Sequence, residues 1–301
     1  MKPPPFTYHA PRDVGAALRT LAQVRGKVLA GGQSLIPLMN MRLAAPEHLV
    51  DINRIGSLSA VDASPAGVRV GALVRHSDAE HAGAHPLLTR ALRLVAHPVI
   101  RNRGTVVGSL VHADPAAELP AVLAVLDGTV RVARWDGRAV ERDVPAREFF
   151  TGPLESAVQP GELAVSAYFP ALGPRTGTAF EEVARRHGDY ALAGVCAVVT
   201  LDDDARVTAA RVACVGVGPV PVVVDVTAAC EGADGAETDS AGTGGERADQ
   251  GWADAARAVQ EETEPESDVH ASAAYRRHLV GVLAERALRN AAREGTAARG
   301  A

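Results

Sequence analysis

The sequence predicts an α+β fold in three successive units, on three observations. Strand-like and helix-like runs alternate over residues 1–56; apolar runs punctuated by Gly and Asp-Gly turns flank a helical stretch within 57–174; three β-rich runs and an amphipathic segment occupy 175–295. A chain of 301 residues with 47% hydrophobic content is long enough for sizeable cores, at the usual ~100–200 residues per domain.

In residues 1–56 the first helix is expected in PRDVGAALRTLAQV, where Val14, Ala17, Leu18 and Leu21 recur at helical spacing behind Asp13, a capping residue type. KVLA reads as a short buried strand, GGQSLIPLMNMRL leads back into a helix, and HLVDI is a second strand that stops before Asn53. Such alternation favours a small parallel α/β layer. In 57–174, SAVDASPAGVRVGALV and GTVRVARWDGRAVERDV read as hairpins on either side of a helical stretch with Leu87, Leu88, Ala91, Leu92 and Val95, which predicts a mixed or antiparallel α+β unit. From 175, ALAGVCAVVTLDDDARVTAARVACVGVGPVPVVV supplies three β-rich runs. The closing helix, ASAAYRRHLVGVLAERALRNAAR, is expected to bury Ala274, Leu279, Leu283 and Leu288 on one face.

The formal charge of −5, from 31 basic and 36 acidic residues, makes nucleic acid and anionic membrane poor partners. That charge is local, because residues 231–268 hold twelve acids against two arginines. The low-complexity part near 231–250 is expected to be a mobile acidic insertion ahead of a polar helix, with an acidic docking segment as the alternative. The start, MKPPPFTYHAPRD, has no apolar signal core, and no eighteen apolar residues run without a charge, so a cytoplasmic chain without membrane insertion is expected. Cys196, Cys214 and Cys230 are too far apart for a C-x-x-C pair, which excludes a locally encoded iron–sulfur or zinc-ribbon site; no metal site is expected.

Two constellations carry candidate chemistry. Ala30, Gly31, Gly32, Gln33 and Ser34 lie between the strand KVLA and a helix. Glycines there let the backbone turn tightly and approach a ligand, and the amides of the turn and helix start suit an anion such as pyrophosphate; plain structural punctuation is the alternative. The pattern is neither G-x-G-x-x-G nor G-x-x-x-x-G-K-[ST], which argues against a Rossmann fold or a P-loop. The second constellation runs from Arg101 to Pro120, where Gly104 and Gly108 bracket a segment with two hydroxyls, Thr105 and Ser109, able to donate to phosphate. Asp114 also reads as an N-cap, and His112 as a core or capping histidine. Two glycine–hydroxyl turns, each leading into a helix, can clasp a diphosphate from opposite sides.

AGGQSLIPLMNMRLA, VIRNRGTVVGSLVHADPAAELP, FEEVARRHGDYALAG and VHASAAYRRHLVGVLAERAL occur in this order between about residues 5 and 290. Together they resemble the flavoprotein medium subunit of the molybdenum hydroxylases, the xanthine dehydrogenase and aerobic carbon monoxide dehydrogenase family. The resemblance implies a vanillyl-alcohol-oxidase (PCMH)-type FAD-binding domain of two α/β subdomains, 1–56 and 57–174, and a C-terminal domain of antiparallel sheet and helices, 175–295. It implies that Ala30, Gly31, Gly32, Gln33, Ser34 and Leu35 wrap the FAD pyrophosphate from one side. Thr105, Val107, Gly108 and Ser109 would do so from the other, with Asp114 at the ribityl–diphosphate region. Tyr190 would lie against the isoalloxazine, although from the residues alone it is an aromatic opening the strand YALAGVCAVV. Arg75, His76 and His97 occupy family-like positions, with packing near the loop as their alternative role.

One residue departs from the family pattern. The second loop usually reads Thr-x-Gly-Gly-Ser or Thr-x-Gly-Gly-Asn, and Val107 stands at its third position. A β-branched residue resists positive φ and adds bulk, so either its side chain tilts away or FAD binds less tightly. Val107→Gly is on this basis expected to tighten FAD. As a family member the chain would be an FAD-dependent electron-transfer oxidoreductase with no general base or nucleophile of its own. A [2Fe-2S] small subunit would supply electrons taken by a molybdopterin large subunit from its substrate, and NAD, a quinone or O2 would accept them. The alternatives are a free-standing flavoprotein recruited elsewhere and a scaffold subunit that has lost FAD.

Overall fold

The computed structural model describes residues 2–231, 233–235 and 243–297. Part of the expected acidic insertion, 232 and 236–242, lies outside the described residues. The chain divides into two compact units. The first gathers the chain up to His85, Ala96–Asp114 and Asp127–Pro170; the second gathers Pro86–Val95, Pro115–Leu126 and the chain from Ala171.

The first unit opens with a three-stranded parallel sheet in the order Thr7–His9, His48–Asp51, Lys27–Leu29. The helix Val14–Val24 starts as expected, with the Asp13 carboxylate accepting from the Ala16 amide at 2.7 Å, and it buries Ala17, Leu18 and Leu21. The strand Thr7–His9 was not legible in the sequence, because it is three residues long and lies at a sheet edge. The rest of the unit is built on a five-stranded antiparallel sheet in the order Val61–Ser64, Gly67–Gly71, Glu162–Pro170, Thr129–Trp135, Ala139–Pro145. Its outer strands are the two expected hairpins, the second turning through Gly137 at φ 68°. The strand Glu162–Pro170 between them buries Leu163 to Ala167 and Phe169 without alternation, so its sequence carries no period-2 signal.

The second unit is a four-stranded antiparallel sheet in the order Thr176–Ala184, Ala191–Leu201, Val207–Val215, Val222–Asp225, with helices that include Glu118–Val125, Thr243–Glu261 and Ala273–Ala297. All eight residues of Glu118–Val125 are buried. In the last helix Leu279, Leu283 and Leu288 are buried as expected, but Ala274 is exposed. The buried member of that first turn is instead Arg276. Its guanidinium donates to the carbonyls of Leu192 (2.5 Å) and Gly216 (3.2 Å) and to the Asp268 carboxylate (2.7 Å). The amides of Ala271 and His270, with Arg276, hold Asp268 down to about 2. Thr243–Glu261, expected to be polar, buries Trp252, Ala255 and Val259. The three cysteines are buried in this unit, and burial pushes the Cys196 and Cys230 thiols up to about 12 and Cys214 further, so they pack as small apolar groups. No helix among the described residues is long and apolar enough to cross a membrane.

Gly177, on a strand of the second unit, lies against the backbone of its last helix: a Cβ there would collide with the Ala291 carbonyl and the Gly295 amide. Both obstacles are backbone. Gly177→Ala is therefore expected to cost about 1–3 kcal/mol or more, read as a lower urea midpoint without a change in slope.

Candidate functional site

The first turn follows directly from the parallel sheet. After Lys27–Leu29 the chain passes through Ala30 to Ser34 and enters the helix Leu35–Asn40. Gly32 has φ +74°, a conformation glycine adopts without steric cost. Gly31 is buried, and a Cβ on it would strike the Arg103 carbonyl and lie 2.8 Å from the Gly104 Cα. The two glycine segments, about seventy residues apart in sequence, thus touch backbone to backbone within the first unit. The amides of Gly31, Gly32, Gln33 and Ser34 donate to no group among the described residues. Ser34, at the cap position, makes no side-chain cap bond, and the Gln33 side chain donates to the Gly31 carbonyl at 3.3 Å.

The second turn is the start of a helix rather than an open loop. Thr105 is extended (φ −116°, ψ 147°), and its hydroxyl oxygen accepts from the Gly108 amide at 3.1 Å, capping Val106–His112. A Cβ on Gly108 would lie 2.5 Å from that hydroxyl, which gives Gly108 a reason within the cap. The two hydroxyls therefore differ: Thr105 is buried and serves as the cap, whereas Ser109 is half-buried. Val107 sits in the first helical turn without a positive φ, and its side chain is only 2% exposed. Of the two outcomes open to a β-branched residue, the side chain tilts away into the core, and only the Val107 backbone is left at the turn.

A chain of polar groups, of which the sequence pointed only to Arg75, ties the two turns together. The Asn53 amide nitrogen donates to the Ala30 carbonyl (2.8 Å) and to Asp51 (2.6 Å). Its oxygen accepts from Arg75 at 2.6 Å, and Arg75 also donates to the Arg103 carbonyl. Asp51 accepts in turn from the Tyr8 hydroxyl at 2.5 Å. Burial opposes ionisation of Asp51, but the hydrogen bonds from Tyr8 and Asn53 hold its carboxyl below the usual range. Burial and the neighbouring Arg103 lower Arg75 from its ordinary value. The available signal was Asn53 itself, a turn-type residue at the end of a parallel strand beside a glycine turn.

His76 is 3% exposed, and its Nε2 lies 3.0 Å from the Thr105 carbonyl and 2.9 Å from the Ser109 hydroxyl. Burial pushes its pKa down to about 4, so the ring is neutral near pH 7. His97 is exposed and makes no side-chain cap bond. Asp114 follows Ala113, which has φ 52°, and the next helix begins at Glu118 behind Ala117, so Asp114 is not its N-cap. His112 is half-buried, and burial lowers its pKa. Tyr190 belongs to the second unit, immediately before the strand Ala191–Leu201, and is 70% exposed.

Residues 4–172 match the family of the FAD binding domain in molybdopterin dehydrogenase, and residues 178–291 match that of the CO dehydrogenase flavoprotein C-terminal domain. The chain is similar to the 6-hydroxypseudooxynicotine dehydrogenase complex subunit alpha of Paenarthrobacter nicotinovorans, at 39% identity over 97% of this chain and 96% of that protein. It is also similar to the carbon monoxide dehydrogenase medium chain of Hydrogenophaga pseudoflava, at 37% identity over 96% and 97%. Among solved structures it resembles quinoline 2-oxidoreductase from Pseudomonas putida 86, with a TM-score of 0.86 and 33% identity over 98% of this chain and 99% of that chain.

The buried position of Val107 reverses the expectation drawn from the sequence. Val107→Gly is expected to lose about 2–4 kcal/mol of stability, from a buried side chain removed and a glycine placed in a helix, and to leave flavin affinity unimproved; thermal melts with and without FAD read both. Gly31→Ala is expected to force the turns apart and to lower FAD affinity at least tenfold, with a smaller change in melting temperature of the flavin-free chain.

Proposed function

The chain belongs to the family of FAD-binding medium subunits of molybdenum hydroxylases, and we propose that it grips FAD by the pyrophosphate between its two glycine turns and serves as the electron outlet of a multi-subunit complex. Its cofactor is FAD, and it is an oxidoreductase flavoprotein. One observation carries the assignment of the grip: Gly31 meets the Arg103 carbonyl where no Cβ fits, beside four consecutive amides that donate to nothing else among the described residues. Consecutive unspent backbone donors at a tight turn suit a diphosphate, whose oxygens accept several hydrogen bonds at once.

In this proposal Ala30 to Leu35 hold one side of the pyrophosphate and the segment Thr105, Val107, Gly108 and Ser109 the other. Val107 contributes backbone only, and Thr105 shapes the turn through its cap. Asp114 binds in the ribityl–diphosphate region. Bound FAD supplies the redox chemistry, and the protein supplies orientation and a fixed polar surround. Electrons arrive from a [2Fe-2S] small subunit, which draws them from a molybdopterin large subunit where substrate is oxidised, and leave to NAD, a quinone or O2. Relatives described as a dehydrogenase complex subunit and as a medium chain support an assembly of this kind.

Purified from its source organism without chelators, the chain is expected to elute with two partner chains, with iron and molybdenum, and with about one FAD per copy. FAD without either metal would instead assign a free-standing flavoprotein. A chain that elutes with its partners but lacks flavin absorption would be a scaffold.

A further inference from the structure

We propose that His76 is a positioning residue that fixes the direction of the Ser109 hydroxyl proton, so that Ser109 donates to the anionic bridge of the flavin nucleotide. The inference rests on the assignment of the two turns to the FAD pyrophosphate and adds to it a residue outside the turns. Its basis is the hydrogen-bond arithmetic around one ring nitrogen. His76 Nε2 is 3.0 Å from the Thr105 carbonyl oxygen, which accepts only, so Nε2 must carry the hydrogen. The same nitrogen is 2.9 Å from the Ser109 hydroxyl. An N–H cannot accept, and Ser109 therefore presents a lone pair to His76 and turns its own hydrogen elsewhere.

No acceptor for that hydrogen exists among the described residues. The usual helical outlet, the carbonyl four residues back, is that of Thr105, which already accepts from the Ser109 amide at 3.0 Å and makes no bond with the Ser109 hydroxyl. Ser109 is thus left with a directed donor and nothing in the first unit to receive it. With Nε2 protonated, Nδ1 is a buried acceptor, and it has no partner. An unsatisfied buried nitrogen is costly, so the ring is held for what Nε2 does. Gly104 makes this possible, because a Cβ there would lie 2.8 Å from His76 Cε1 and 2.9 Å from Nδ1. The glycine of the second turn admits the ring that orients the serine of the same turn.

The test uses the full-length chain stripped of flavin, with Gln and Asn as substitutes. Glutamine carries its amide nitrogen at the reach of imidazole Nε2, whereas asparagine reaches only the position of Nδ1. In titrations by flavin fluorescence, His76→Gln is expected to bind FAD within about threefold of the wild type. His76→Asn is expected to weaken FAD about 10–100-fold, the range for a hydrogen bond to a charged group, with riboflavin, which lacks the phosphates, unaffected. Added to Ser109→Ala, His76→Asn is expected to cause no further loss, because the donor it directs is gone. Equal FAD affinity of the Gln and Asn variants, or an undiminished His76→Asn effect in the Ser109→Ala background, would overturn the inference. If His76→Asn does not fold, His76→Gln decides alone, and a loss of tenfold or more in that variant would overturn it. A wild-type chain that binds riboflavin as tightly as FAD would instead defeat the pyrophosphate assignment itself.

Discussion

The constraint on which the rest depends is the contact of two backbones, the Cα of Gly31 against the carbonyl of Arg103. A glycine contact of this kind buries little apolar area and contributes little hydrophobic stabilisation. Polar groups on either side hold it closed. Asn53 takes the Ala30 carbonyl, Arg75 takes the Arg103 carbonyl, and the two side chains bond to each other at 2.6 Å. Each of these side chains ends on a main-chain atom of a turn, so the turns are fixed relative to one another by the same groups that satisfy their carbonyls. The amides of the first turn remain unspent, as an anion-binding concavity requires.

Behind this contact, rigid elements supply the positions. Asn53 follows the middle strand of the parallel sheet, Arg75 follows a strand of the antiparallel one, and an isolated β-bridge joins Arg75 to Thr105. The polar chain extends to Asp51 and Tyr8, which anchors it to the edge strand of the parallel sheet. Sites built on strands in this way hold their geometry more closely than sites on unsupported loops. The second unit uses a comparable device for a structural purpose. Arg276, largely buried, bonds two carbonyls and Asp268 and so ties the last helix to the ends of two strands. An alanine expected at that face from apolar spacing is exposed, because the guanidinium satisfies carbonyls that a methyl group would leave without a partner.

What the sequence determined by itself was local. The Asp13 cap, the hairpin turning at Gly137 and the glycine turn before Leu35 all arise from interactions between residues a few positions apart, where residue type and period carry the information. Four collinear motifs also identified the family, and with it FAD. The tertiary structure decided which distant residues meet. The strand Glu162–Pro170 is central because two hairpins formed elsewhere dock on its edges, and the helices Pro86–Leu92 and Glu118–Val125 belong to the second unit although their neighbours in sequence belong to the first. Val107 faces the core because a helix starts one residue before it and turns its side chain inward. Asn53, Arg75 and His76 matter because folding sets them beside two turns to which no periodicity links them, and a hydrogen bond is specified by distance and direction in space rather than by spacing along a chain.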